Sequence, residues 1–204
     1  VGGVIMTSNS CHWKQVVIRD CCDSVQYGFT AKSSQDQIGP KLLRITDIVP
    51  ELIDWNAVPY CAISPTEYKK YKLEDGDILI ARTGATCGYA KLVKNPPQSV
   101  FASYLVRLKT SKKVNAKFIG FIISSDDYKR FIMASNTGAA QPNANAQVLT
   151  SYPVKLPPLP TQHKIASVLS AYDDLIENNT RRIKILEEMA QSLYREWFVN
   201  FRFP

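Results

Sequence analysis

Asp75 and Asp77 flank Gly76, and two carboxylates in a turn are a candidate metal site of the nuclease kind. No Glu-x-Lys follows at strand spacing, and a turn role suffices for both acids. Thr83-Gly84-Ala85-Thr86-Cys87-Gly88 has the small-residue make-up of a phosphate loop. It lacks the Gly-Lys-Ser/Thr ending and opens a strand rather than a helix. Its glycines better suit a hairpin whose backbone approaches a ligand closely. Arg82, at the base of that hairpin, has the donors for phosphate or guanine, with pairing to a local acid as the alternative. His12 and His163 stand near no Ser or Cys in a nucleophile-elbow context. The five cysteines (Cys11, Cys21, Cys22, Cys61 and Cys87) form no CxxC pair. Neither a zinc site nor a disulfide framework is expected, and the thiols are read as reduced, cytosolic and mostly buried. No catalytic constellation and no bound cofactor emerge.

Asn95-Pro96-Pro97-Gln98 resembles the Asn-Pro-Pro-aromatic motif with which amino-methyltransferases hold a flipped base. Gln98 replaces the aromatic residue, and no glycine-rich cofactor turn follows an early strand, so a simple turn is expected here. What remains is recognition. Tyr27, Thr30, Lys32, Ser33, Gln35, Lys41 and Arg44 lie in or beside one polar loop, and Gln141, Asn143 and Asn145 lie in a later one. Asn and Gln can read adenine bidentately, Arg and Lys can read guanine, and Ser and Thr can hold phosphates. With Arg82, Thr83, Gly84 and Thr86 of the central hairpin, they form the expected DNA-contacting set.

The charge distribution agrees. The net charge is +7, and 12 of the 18 Asp+Glu and 19 of the 25 Lys+Arg fall in residues 1–160. That segment carries the whole excess and residues 161–204 carry none, so a polyanion should meet the first part of the chain. No apolar run approaches the roughly 18 residues of a membrane span. Val1–Ser10 lacks the basic and apolar segments of a signal peptide, and a cytoplasmic location is expected.

These residues must be held by a mixed head. Strands are predicted at Trp13–Ile18, Leu42–Ile45, Ile78–Arg82, Tyr89–Val93, Ser103–Leu108 and Val154–Leu156, with turn residues between them. Residues 28–40 read as loop, and Lys109–Lys113 as a charged turn. Ala116–Ser124 and Asp126–Ser135 read as short helices, with Ser125 or Asp126 capping the second and Asn136-Thr137-Gly138 ending it. Pro157–Pro160 reads as a stiff linker, and Thr161 as the cap of a final helix.

That final helix carries a heptad seam. Ile165, Leu169, Tyr172, Ile176, Asn179, Ile183, Leu186, Ala190, Leu193 and Trp197 follow in steps that alternate between four and three. The spacing keeps them on one stripe, which a single helix cannot bury by itself. Val168, Leu175 and Met189 broaden the stripe, suggesting more than one neighbour. Asn179 at a seam position can set register and orientation. Arg182 and Glu196, with Asp173 and Glu187 on the other flank, could pair across an antiparallel interface. Trp197, Phe198, Phe201 and Phe203 are too aromatic for a free tail. The expected architecture is α+β: a β-rich head with short helices over residues 1–160, then one long coiled-coil helix over residues 161–204.

Several segments in order resemble specificity subunits of type I restriction–modification systems. These are Leu73-Glu74-Asp75-Gly76-Asp77-Ile78-Leu79-Ile80-Ala81-Arg82-Thr83-Gly84, Thr137-Gly138-Ala139-Ala140-Gln141-Pro142-Asn143, Leu156-Pro157-Pro158-Leu159-Pro160-Thr161-Gln162 and Leu193-Tyr194-Arg195-Glu196-Trp197-Phe198. The resemblance implies a non-catalytic chain whose target recognition domain reads half of a split double-stranded DNA target. It implies methyltransferase subunits that bring S-adenosylmethionine and methylate adenine, and an optional motor nuclease subunit. The usual subunit has two heads and two rods; this chain has one of each, like a half-subunit. Two copies, antiparallel through their rods, would restore a two-headed reader. A helix from 161 to about 197 is on the order of 55 Å long, compatible with half-sites about 34 Å apart. A coiled-coil-dimerised transcriptional regulator is the alternative, although no helix-turn-helix is evident.

Overall fold

The computed structural model describes residues 13–135 and 143–203. The chain divides into two compact units, Val1–Lys164 and Ile165–Pro204.

In the first unit, three sheets are built from ten strands among the described residues. β1 (Lys14–Val17) pairs antiparallel with β10 (Pro153–Leu156). The central sheet joins β2 (Cys22–Tyr27), β9 (Leu105–Thr110), β6 (Ile78–Ala81) and β7 (Ala90–Leu92) in that order, all antiparallel. The third sheet orders β3 (Ser33–Ser34), β5 (Tyr60–Cys61), β4 (Lys41–Leu43) and β8 (Ser99–Phe101), with β4 and β8 parallel. Short helices fill the connections: α1 (Ile45–Ile48), α2 (Pro65–Tyr71), α3 (Ala116–Ser124), α4 (Asp126–Ala134) and α5 (Ala146–Thr150). The long helix α6 runs from Leu159 to Tyr194.

β6 explains its own place. All four of its residues are buried, because a strand covered on both faces must be apolar at every position rather than at alternate ones. Leu79 and Ala81 face a cluster with Leu43, Ile48, Val58, Leu73, Val93, Phe101 and Leu105. On α3, Gly120 packs against Leu92 of β7. The cap of α4 is Ser125, whose hydroxyl accepts the Tyr128 N–H.

Several local expectations are corrected. Residues 28–40 are not all loop, since β3 lies within them. The strand expected through Ile45 ends at Leu43, and α1 begins at Ile45. The cause is Asp47, whose carboxylate accepts the Arg44 N–H at 2.8 Å and turns the chain into a helix. Lys109 and Thr110 belong to β9 rather than to a turn, opposite Ser24 and Cys22. The final helix starts at Leu159, two residues before Thr161. Pro160 fits there because a proline in the first turn gives up no helical N–H bond. Gln162, 1% exposed, anchors this entry: its Oε1 accepts the Asn115 N–H at 2.9 Å and its Nε2 donates to Pro157 O at 2.8 Å. The strand β2 and the helices α1, α2 and α5 were not foreseen from the sequence. The stop at Asn136-Thr137-Gly138 lies outside the described residues.

A buried cation organises the central sheet. Arg107 of β9 is 4% exposed. Its guanidinium donates to Lys72 O at 2.6 Å and to Lys70 O at 3.1 Å, which satisfies carbonyls at the end of α2. It also donates to the Gln26 amide oxygen and, at 3.4 Å, to Asp77 Oδ2, and it stacks on Phe101 at 4.9 Å. Asp77 in turn accepts the Glu74 N–H at 2.9 Å. Burial pushes the Asp77 carboxyl above its ordinary pKa, against the pull of that backbone bond and of Arg107. Asp77 is thus a structural acid within the turn at Gly76, whose φ is 86°.

At the other end of the same sheet, Gly28 follows β2. A Cβ there would stand 2.2 Å from Ala102 O and 2.5 Å from Phe101 O, both backbone atoms that cannot swing away. Gly28→Ala should therefore destabilise the fold by about 1–3 kcal/mol, as overpacking does, read as a lowered denaturation midpoint.

In the second unit, α6 continues as an unbroken α-helix to Tyr194, then widens to a π-helical turn over Arg195–Val199. Leu169, Tyr172, Ile176, Ile183, Leu186 and Leu193 are all at least 39% exposed. Beyond the turn, Phe201 adopts φ 52° and the Arg202 N–H bonds Glu196 O at 2.8 Å. Tyr194 stacks on Phe198 at 5.2 Å, and Phe203 meets Phe198 edge-on at 6.4 Å. No described helix is long and apolar enough to cross a membrane.

Candidate nucleic-acid interface

The ends of β2, β9 and β6 lie side by side. Val106 of β9 stands between Tyr27 of β2 and Ile80 of β6. The β6–β9 pairing runs on past Ala81 and Leu105, with the Arg82 N–H donating to Tyr104 O at 3.1 Å. Residues two apart on a strand share a face, as do residues directly opposite. Tyr27 and Arg82 thereby belong to one face of the sheet at its end, and the Arg82 N–H holds the turn residue Tyr104 beside them.

Arg82 is held from several sides. Its guanidinium carbon lies 5.0 Å from the centre of the Tyr27 ring, and Nη2 donates to Asn143 Oδ1 at 3.1 Å. The backbone agrees: the Ala144 N–H donates to Arg82 O at 2.8 Å, and Thr83 and Asn143 form an antiparallel bridge. The Tyr27 hydroxyl accepts the Ala146 N–H at 2.9 Å, tying the ring to the start of α5. Asn145 is occupied as the cap of α5, accepting the Val148 N–H at 2.9 Å. No carboxylate pairs with Arg82 among the described residues, so the neighbour that the sequence left open is an amide and an aromatic face. Arg82 Nε is buried and lacks a partner there. A guanidinium stacked and pinned at one nitrogen presents its remaining donors in a set direction.

The following hairpin supplies backbone. Thr83 leads into a tight turn over Gly84–Thr86, and the Cys87 N–H returns to Gly84 O at 3.0 Å. Gly84 has φ 74° with open space around its Cα, so conformation rather than crowding selects glycine there. The Cys87 thiol donates to Arg82 O at 3.2 Å, and burial pushes its pKa up, which keeps it a protonated structural thiol.

The structure thus brings Tyr27, Arg82, Thr83 and Asn143 together, with Asn145 and the Gly84–Thr86 turn adjoining. Other members of the expected set are engaged elsewhere. Lys41 Nζ donates to Val58 O at 3.0 Å and lies 4.3 Å over the Tyr60 ring. Arg44 is paired with both carboxylate oxygens of Asp47, at 3.0 and 2.9 Å. Both side chains thus have partners within the fold. Thr30, Lys32, Ser33 and Gln35 are exposed along the 28–40 segment, and Gln141 lies outside the described residues. Tyr104 escaped the sequence reading, which treated it as an ordinary strand residue. Only the β6–β9 register places it beside Arg82.

The fold is that of an α+β head followed by a long helix, and solved structures share it. The S subunit of a type I restriction–modification system from M. genitalium superposes with a TM-score of 0.67 at 17% identity, covering 95% of this chain and 47% of that one. The HsdS subunit from Thermoanaerobacter tengcongensis gives 0.57 at 16% identity, covering 96% and 47%. In sequence, residues 43–188 match the type I restriction modification DNA specificity domain. This chain belongs to that family. The putative type I restriction enzyme MjaX specificity subunit of Methanocaldococcus jannaschii is 26% identical over 194 residues, 92% of this chain and 46% of that protein. The EcoKI specificity subunit of Escherichia coli K12 is 23% identical, covering 91% and 42%. The chain spans less than half the length of these relatives.

Proposed function

We propose that this chain is the DNA sequence-specificity component of a type I restriction–modification complex and is itself non-catalytic. The observation that carries this reading is the family match across residues 43–188. The head reads one half of a bipartite double-stranded target, using the sheet end around Arg82, Tyr27 and Asn143. Thr30, Lys32, Ser33 and Gln35, with Gln141, contribute phosphate or base contacts. Methyltransferase subunits supply S-adenosylmethionine and methylate adenine, and a motor nuclease subunit completes the restriction assembly. The exposed seam of α6 takes a second copy in an antiparallel homodimer, which sets the spacer between half-sites. The complex works in the cytoplasm, where its DNA lies.

Co-expression with the cognate methyltransferase, followed by mapping of methylated adenines, tests this function. Methylation confined to a split motif supports it, and methylation without any defined motif refutes it. Arg82→Ala is expected to lose about 1–3 kcal/mol of discrimination if the guanidinium reads a guanine bidentately. Arg82→Lys should rescue poorly, since a lysine cannot offer the planar fork. Competition between the mapped duplex and a scrambled one measures both.

A further inference from the structure

We propose that Tyr104 is a specificity-determining residue, whose ring makes an apolar or stacking contact with the base pair next to the one that Arg82 reads. The inference rests on the reading of this chain as a DNA-specificity component and adds a residue and a position to it.

Tyr104 is 61% exposed, more than any other large hydrophobic residue of the described head. Its ring makes no hydrogen bond or ring contact with another described residue. Its backbone is nonetheless firmly placed. The Leu105 N–H returns to Ala102 O at 2.9 Å, closing the turn between β8 and β9, and Tyr104 O accepts the Arg82 N–H at 3.1 Å. A rigid stem with an unpartnered aromatic tip suits a contact made only when a ligand arrives. Tyr27, at the same sheet end, is by contrast already occupied by the Arg82 guanidinium at 5.0 Å.

The spacing fits adjacent base pairs. Residues directly opposite on antiparallel strands have Cβ atoms about 4.5–5.5 Å apart, and successive bases rise about 3.4 Å along a strand. Two side chains leaving backbone positions joined by one hydrogen bond, just beyond the last strand pair, can therefore engage neighbouring steps of one groove. An aromatic ring there meets a thymine methyl or a partly unstacked base face.

The test compares Tyr104→Ala and Tyr104→Phe with the unaltered chain. Each is co-expressed with the cognate methyltransferase, and methylated adenines are mapped across the host genome. Tyr104→Phe should keep the motif. Tyr104→Ala should relax one base pair of it, with discrimination at that position falling about tenfold, the scale of one mismatched base pair in a specific site. Arg82→Ala should relax the neighbouring position instead. Melting temperature should move little in Tyr104→Ala, because the residue is 61% exposed. An intact motif with undiminished discrimination in Tyr104→Ala overturns the inference and leaves DNA reading standing. Equal loss in the Ala and Phe variants also overturns it, by assigning the contact to the hydroxyl, and a lowered melting temperature overturns it by making the role structural. An unaltered complex that methylates no defined motif overturns the functional reading itself.

Discussion

Ile183→Asp is expected to leave α6 helical while abolishing the proposed self-association. Ile183 is 57% exposed in the single chain, so the substitution removes little internal packing. In the proposed paired state it lies in the middle of the seam, between Asn179 and Leu186. Burial of an isoleucine contributes about 1.5–3 kcal/mol, and a two-fold interface loses that twice. The deficit of at least about 3 kcal/mol is more than a hundredfold in dissociation constant, before the cost of desolvating the carboxylates is added. Sedimentation at micromolar concentration should show a dimer for the unaltered chain and a monomer for the variant. Far-ultraviolet circular dichroism should show equal helix content in both. An unaltered chain that sediments as a monomer would remove the seam from the dimerisation reading.

Arg107→Ala should be the most damaging change in the head. It leaves the Lys70 and Lys72 carbonyls without their donor and strands Asp77 as an unpaired buried acid. Breaking a buried pair from one side costs about 3–5 kcal/mol, a large share of the roughly 5–15 kcal/mol of a typical domain. The sign of the pH dependence follows from Asp77. Its folded pKa is raised by burial, so the folded state takes up its proton more readily than the unfolded chain. That contribution is fully present below the unfolded pKa and is lost as pH rises through the folded one. Losing the opposing arginine should raise the folded pKa further, so the variant should regain part of its stability on acidification through that pKa. Adding Asp77→Asn should recover part of the loss at neutral pH, since a neutral amide replaces the stranded charge. Denaturant melts across pH, with the double variant as the control, measure these effects.

The sequence was most informative where the signal is periodic or local. The heptad seam is visible because its spacing depends only on helix geometry, and α6 follows it through Tyr194. The buried strand β6, the Gly76 turn and the Ser125 cap are legible for the same reason: neighbouring residues suffice to define them. The early polar loop was harder. Its residues are of the right types, yet Arg44 is drawn to Asp47 and Lys41 to Val58 O and the Tyr60 ring, and residue type does not reveal such local competition.

By itself, then, the sequence determined a basic head, a long unpartnered helical stripe, the turns that bound the central strands and the ordered segments by which the family is recognised. Only the tertiary structure decided which polar residues share a surface. Arg82 and Asn143 are 61 positions apart and meet at 3.1 Å. Tyr27 meets Arg82 across β9, and Tyr104 joins them through the β6–β9 register. Strand pairing is a non-local choice, set by which apolar faces can be buried together. A shift of one residue would turn each of these side chains to the opposite face.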